Sequence, residues 1–220
     1  MSITENLKQL KNTLPKHVIL VAVSKFKPIA DLQVAYQAGQ RVFGESKIQE
    51  MTQKQEALPK DIQWHMIGHV QRNKVKYMAP YVSLIHGVDR LRLLEEIDKQ
   101  ALKNNRVINC LLQVHIAQEE TKFGFNPQEI FDLITNPSFS NLKNIKIKGL
   151  MGMASFTSDE TQIKKEFQLL KHCYDRLKTK EHPLLSIEFL SMGMSDDYPI
   201  ALACGSNMIR VGSKIFGNRG

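Results

Sequence analysis

A closed barrel of eight parallel strands alternating with helices, the (β/α)8 TIM barrel, is the fold this sequence predicts. Three observations predict it. Apolar strand-like runs and amphipathic helix-like runs alternate eight times from end to end. The first strand-like run, Val18-Ile19-Leu20-Val21-Ala22-Val23, is apolar on both faces, as a strand covered on both sides of a parallel sheet must be. No glycine fingerprint follows that run, where an open doubly wound sheet would carry one; Ser24-Lys25-Phe26-Lys27-Pro28 stands there instead. With 220 residues and no linker or internal repeat, the chain is expected to form a single domain over residues 1–220.

The elements follow in order. A leading amphipathic segment carries Ile3, Leu7 and Leu10 on one face. After the first strand, Leu32 to Ala38 reads as a helix closed by Gly39, and Arg41-Val42-Phe43-Gly44 as the second strand. A helix around Ile48 to Leu58 precedes the third strand, Ile62 to Gly68. The fourth strand is Val82 to Val88, followed by a strongly helical segment from Arg90 to Lys103. Cys110 to Ile116 makes the fifth strand, and Asn126-Pro127-Gln128-Glu129 opens a helix with a cap and a proline in its first turn. Ile145 to Met151 is the sixth strand, Ser158 to Lys178 a long helix, and Ile187 to Met192 the seventh strand. A short helix from about Pro199 to Ala203 leads to the eighth, Met208 to Gly212.

The composition narrows the function. At 42% hydrophobic and 24% charged residues the chain is an ordinary globular one. Its three cysteines, Cys110, Cys173 and Cys204, form no CxxC pair, which points to a reducing, cytoplasmic setting. The N-terminus carries charge early and shows no signal-peptide core, and the longest apolar run is far too short for a bilayer, so no membrane role is expected. The net charge of +8 is spread among acids, as in Lys164-Lys165-Glu166, which argues against nucleic acid as a partner and suits a small phosphorylated ligand. His65, His69, His86 and His115 lack a metal-ligand spacing.

Barrel chemistry sits at the C-terminal ends of strands. Lys25 follows the first strand and shares a face with Val23, Val21 and Ile19. Burial there lowers a lysine pKa and supplies the neutral amine that an imine-forming nucleophile needs, although a lone strand-end lysine can equally snorkel into solvent. Ser191-Met192-Gly193-Met194-Ser195, Gly205-Ser206-Asn207 and Gly212-Ser213 gather small and hydroxyl residues around strands seven and eight, where barrels commonly hold a phosphate; each is also ordinary turn chemistry. Arg210 lies within the eighth strand. It can only donate, either to an unprotonated pyridine nitrogen or to a neighbouring carboxylate in a structural ion pair.

These motifs closely resemble the pyridoxal phosphate homeostasis protein family, related in fold to the N-terminal barrel of alanine racemase. The resemblance covers nearly the whole chain. It rests on Val21-Ala22-Val23-Ser24-Lys25 with Lys27-Pro28, Phe43-Gly44-Glu45, Trp64-His65-Met66-Ile67-Gly68, Glu119-Glu120-Thr121-Lys122-Phe123-Gly124, Leu190-Ser191-Met192-Gly193-Met194-Ser195-Asp196, and Gly205-Ser206 with Ile209-Arg210-Val211-Gly212. It implies a fold-type III barrel carrying pyridoxal 5′-phosphate (PLP) as an internal aldimine on Lys25, with Arg210 beside the pyridine nitrogen. It further implies that Ser191, Ser206, Asn207 and Gly212 hold the phosphate and that His65 and Met192 lie near the cofactor. Ser46, with Lys47, stands where Asn-Tyr is common in the family, at the position of a polar contact to the ring hydroxyl, and Asn207 replaces a usual threonine.

A racemase needs a second acid–base group, which alanine racemase takes from a tyrosine of a C-terminal β domain. The chain is read as stopping short of that domain, and of its five tyrosines Tyr198 is the one to check. The expectation is therefore an open site that binds and exchanges PLP and catalyses poorly. A monomer delivering cofactor to PLP-dependent apoenzymes is expected, with a PLP-dependent amino-acid racemase as the alternative.

Overall fold

The computed structural model of the protein describes residues 2–119 and 123–217. Eight strands form a closed parallel barrel in sequential order, β1 (Ile19–Val23), β2 (Val42–Glu45), β3 (Gln63–Met66), β4 (Leu84–Val88), β5 (Ile108–Val114), β6 (Ile145–Gly152), β7 (Leu185–Ser191) and β8 (Met208–Val211). The barrel closes through β8 on β1, with Val21 opposite Arg210.

The helices between the strands are α1 (Ile3–Thr13), α2 (Ile29–Gln37), α3 (Ile48–Ala57), α4 (Val75–Met78), α5 (Leu91–Lys103), α6 (Pro127–Ile134), α7 (Pro137–Ser140), α8 (Glu160–Lys178), α9 (Tyr198–Ala203) and α10 (Ser213–Phe216). Local chemistry explains their ends. Ser2 and Glu5 form a reciprocal capping box at the start of α1, and Asn126 and Glu129 do the same for α6. Gly39, at φ 84°, takes the left-handed position just beyond α2.

Side-chain alternation sorts the strands into two layers. Leu20, Ala22, Phe43, Trp64, Met66, Ile85 and Leu112 face outward into the core shared with the helices. Val21, Leu84, Leu111, Met151 and Met208 face inward as a separate greasy layer that plugs the barrel. A polar layer of buried side chains, His65, His86, Gln113, Ser191 and Arg210, also lies on the inward faces. A barrel packed below and polar above can hold a site only at its C-terminal mouth.

Several boundaries differ from expectation, with α2 and β7 beginning earlier, at Ile29 and Leu185, and β3 ending earlier, at Met66. β5 begins at Ile108 and ends at Val114, because the His115 N–H turns away to the Phe125 carbonyl at 2.9 Å. The segment between β3 and β4 contains a 3-10 turn at Arg72–Lys74 and the single-turn α4, too short to show helical periodicity. Glu120 and Lys122 lie outside the described residues.

Candidate functional site

A cavity of about 660 Å3 opens at the C-terminal mouth, within the usual range for small-molecule sites. Lys25, Ser46, Arg210 and Gly212 line it, together with Ser195 and Ser213. A second cavity of about 730 Å3 adjoins it across Met153, Met194 and Asp196. Neither the lysine nor the arginine reaches that second space, so the smaller cavity is where chemistry can occur.

Lys25 stands two residues beyond β1 and continues its inward face, above Val21 in the barrel plug and Val23 in the cavity wall. Its side chain is half-buried at the mouth rather than standing free of the strand end. A tight turn follows, closed by the Lys27 N–H on the Ser24 carbonyl at 3.0 Å. Phe26, at φ 64°, sits in the left-handed region, a conformation that costs a non-glycine residue roughly 1–2 kcal/mol.

Arg210 approaches from the opposite side of the closure. Its Nη1 donates to Ser191 Oγ at 2.7 Å and its Nη2 to the Gly152 carbonyl at 2.9 Å. Among the described residues no carboxylate forms an ion pair with it, which removes the structural ion-pair reading. Burial presses its pKa down from 12.5 to about 10, with Asp197 opposing, so the guanidinium is charged at neutral pH.

A directed chain of hydrogen bonds continues from it. Arg210 can only donate, so Ser191 Oγ accepts, and the Ser191 hydroxyl proton is free to donate to His86 Nδ1 at 3.1 Å. His86 then carries its proton on Nε2 and donates to His65 Nδ1 at 3.0 Å, which leaves the His65 proton on Nε2. Both rings are neutral: burial lowers the His65 pKa to about 3, and burial, helped by the His65 ring and the Arg210 charge beside it, lowers that of His86 well below its ordinary value.

The sequence-predicted residues therefore separate into three groups. Lys25, Ser46, Arg210 and Gly212 line the cavity. His65 and Ser191 lie in the barrel interior and touch the site only through Arg210. Met192, Ser206 and Asn207 do not line it. Met192 faces the outer core. Ser206 and Asn207 stand at the N-terminal end of β8, where Ser206 Oγ is turned to the Met192 carbonyl at 2.8 Å. Asn207 brackets β7, receiving the Leu190 N–H at 2.7 Å and donating to the Glu188 carbonyl at 2.7 Å. Besides Ser46, the serines that line the cavity are Ser195 and Ser213, in the same glycine- and serine-bearing loops. A serine inside or before a strand is held by the ladder, whereas one beyond a strand end is available to a ligand.

Two more features shape the mouth. His69 stacks on Phe123, ring centroids 3.9 Å apart, joining the loops after β3 and β5 over the cavity. Gln113 Nε2 holds the Phe123 carbonyl at 2.7 Å. Backbone comes close at two glycines of the lining, where a Cβ would clash with the Ser46 carbonyl (Gly68) and meet the Val23 carbonyl at 3.0 Å (Gly212). Gly193, at φ 97°, makes the turn that aims Ser195 at the Gly212 N–H, which donates to its Oγ at 3.3 Å. Among the described residues no cluster of three or more His, Cys, Asp or Glu could hold a metal, and no helix is long and apolar enough to cross a membrane.

Fold and site together define a parallel (β/α)8 barrel whose C-terminal mouth opens into a cavity of small-molecule size, lined by a lysine beyond strand one and an arginine of strand eight. The chain belongs to the family described as Alanine racemase, N-terminal domain, which matches residues 1–220, and within it to the pyridoxal phosphate homeostasis proteins. The pyridoxal phosphate homeostasis protein of Synechocystis sp. is 41% identical over 94% of this chain and 94% of its own. PipY of Synechococcus elongatus, solved with PLP bound, has 35% identity and a TM-score of 0.88, covering 98% of this chain and 100% of that one. The alanine racemase of Clostridium difficile shares the fold alone, at 16% identity and a TM-score of 0.78 over 99% of this chain and 56% of the racemase.

Proposed function

We propose that this protein binds pyridoxal 5′-phosphate covalently through Lys25 and serves cellular PLP homeostasis as a carrier, without strong catalytic activity of its own. One observation carries the reading: an amine, a carboxylate-free guanidinium and a set of hydroxyl donors face one cavity of cofactor size. When bound, the cofactor supplies an aldehyde that condenses reversibly with an amine, and Lys25 is the amine at the mouth. The donor set fits the rest of the molecule. Ser195 and Ser213 offer hydroxyl donors for a phosphate, Gly212 holds Ser195 through its N–H, and Ser46 offers a polar contact for the ring hydroxyl. Arg210 is assigned to the pyridine nitrogen. His65 and Ser191 serve indirectly, by holding Arg210 in place.

The choice of carrier over racemase rests on two points. Arg210 can only donate, so it leaves a pyridine nitrogen unprotonated and the ring a poor electron sink. No tyrosine lines the cavity; Tyr198 instead begins α9, with Lys214 Nζ 5.0 Å from its ring centroid. The name shared by relatives such as that of Synechocystis, and the PLP bound in PipY, support the same reading. On this reading the protein is cytoplasmic and monomeric, and PLP-dependent apoenzymes receive its cofactor.

The test is spectroscopic. Protein reconstituted with PLP should show a violet-edge absorption band and gain the mass of the reduced cofactor on borohydride treatment. Both should vanish in Lys25→Ala. A band that persists in that variant would reassign the anchor.

A further inference from the structure

We propose that a buried cluster built on Lys54 fixes the root of the Lys25 side chain, making Glu50 and Lys54 positioning residues for the carrier amine. The inference rests on Lys25 being that amine. It starts from the turn Ser24-Lys25-Phe26-Lys27, in which both peptide planes flanking the Lys25 Cα are tied from outside the barrel.

The plane before Lys25 is held by its carbonyl. The Ser24 oxygen accepts from the Lys27 N–H at 3.0 Å and from Lys54 Nζ at 2.8 Å. The plane after Lys25 is held by its N–H, since Phe26 N donates to Glu50 Oε1 at 2.6 Å. Type I and type II turns differ by a flip of this second plane, which points that N–H to opposite sides. The Glu50 carboxylate captures it on one side, and the φ of 64° at Phe26 follows. With both planes pinned, N, Cα and C of Lys25 are fixed, and so is the direction of its Cβ.

The pins are themselves anchored. Lys54 Nζ uses all three donors, on the Ser24 carbonyl, Glu45 Oε1 at 2.8 Å and Glu50 Oε1 at 2.7 Å. Ser24 Oγ donates to Glu45 Oε1 at 2.7 Å. The Lys54 side chain is 5% exposed and that of Glu45 0%, so the root of the cluster is buried, while Glu50, at 20%, reaches from it to the more exposed turn. Its consequence for binding is an effective concentration: an amine held in one place condenses with a bound aldehyde more readily than one that wanders.

The experiment compares two ligands in the full-length protein. PLP has an aldehyde; pyridoxine 5′-phosphate has an alcohol at the same carbon and cannot bond to the amine. Glu50→Ala should weaken PLP binding by about tenfold, as the effective concentration of the amine at the bound aldehyde falls. It should leave pyridoxine 5′-phosphate binding unchanged. Glu50→Gln, which keeps an acceptor for the Phe26 N–H, should recover most of the loss. Equal weakening of both ligands, or no weakening of either, overturns the proposal. Should Glu50→Ala not fold, Glu50→Gln carries the test, with a loss of about threefold expected for PLP alone and an unselective or absent loss counting against it. Failure of wild-type protein to form a borohydride-trapped adduct on Lys25 would instead sink the underlying assignment, a separately readable result.

Discussion

The two walls of the cavity each hold a cation, and they do so by opposite means. Behind the Lys25 turn, the Lys54 ammonium is surrounded by Glu45 and Glu50 and hydrogen-bonded on all sides. On the neighbouring strand β8, Arg210 is equally buried but hydrogen-bonds only a hydroxyl and a carbonyl, with no carboxylate in contact among the described residues. The first arrangement neutralises a charge and turns it into scaffold. The second leaves a buried charge without a contacting counter-ion, at a residue that lines the cavity. Structure is being made at one wall and binding capacity kept at the other.

Removing the scaffold cation should have the largest effect. Lys54→Met keeps the length of the side chain but strands Glu45, whose carboxylate is fully buried and has one oxygen without a partner even now. Breaking a buried pair from one side costs about 3–5 kcal/mol, because the remaining charge is uncompensated. Urea unfolding of the unliganded protein should show that loss. The double variant Lys54→Met/Glu45→Gln should regain much of it, since burial already raises the Glu45 pKa and a neutral amide suits the site. A single variant as stable as wild type would remove the contrast between the walls.

This contrast was only half legible in the sequence. Lys25 and Arg210 could be read because strand alternation assigns each residue a face, and a cation on an inward face at a barrel mouth needs a reason. The glycine- and serine-bearing loops around strands seven and eight were equally readable, yet Ser191 and Ser206 were singled out where Ser195 and Ser213 line the cavity. Composition names a loop, but only the end of the ladder, at Ser191 on β7 and Val211 on β8, says which hydroxyl lies beyond it. The Lys54 cluster was invisible. Its members come from the end of β1, β2 and two turns of α3, and each alone reads as an ordinary charged residue. The single turns α4, α7 and α10 were missed because one turn has no periodicity to detect.

A smaller effect separates the walls by pH. His65 and His86 are held neutral beneath Arg210, with folded pKa values below the ordinary 6.5. The unfolded chain therefore binds more protons between pH 6.5 and the folded values, and stability must fall as pH drops through that window. For His65 alone, at about 3 in the folded state, the loss between pH 7 and 5 is about 2 kcal/mol. Glu45 works the other way: its raised pKa makes the folded state bind the extra proton, so its contribution declines as pH rises above 4.5. Urea midpoints at pH 7, 6 and 5 should decrease in that order. His86→Asn, which removes one of the two buried rings, should flatten the decline; an unchanged slope would mean that the rings do not titrate as their burial requires.

The smallest change in stability is expected where the change in function is large. Arg210→Met takes the same kind of side chain from the other wall as Lys54→Met takes from the first. It leaves the Gly152 carbonyl without its donor, which costs about 1–3 kcal/mol. It also relieves the folded state of a buried charge that burial disfavours enough to bring its pKa down to about 10. Ser191 keeps His86 as a partner, so no second group is orphaned. The two terms oppose each other, and the net should fall within about 1 kcal/mol of wild type. PLP binding should nevertheless weaken by about tenfold or more, because a charge-assisted donor to the ring is gone. Thermal melts of the unliganded variant beside absorbance titrations with PLP measure both quantities on one sample. A variant that unfolds like Lys54→Met would show Arg210 to be scaffold after all, and one that binds PLP like wild type would free the pyridine nitrogen from it.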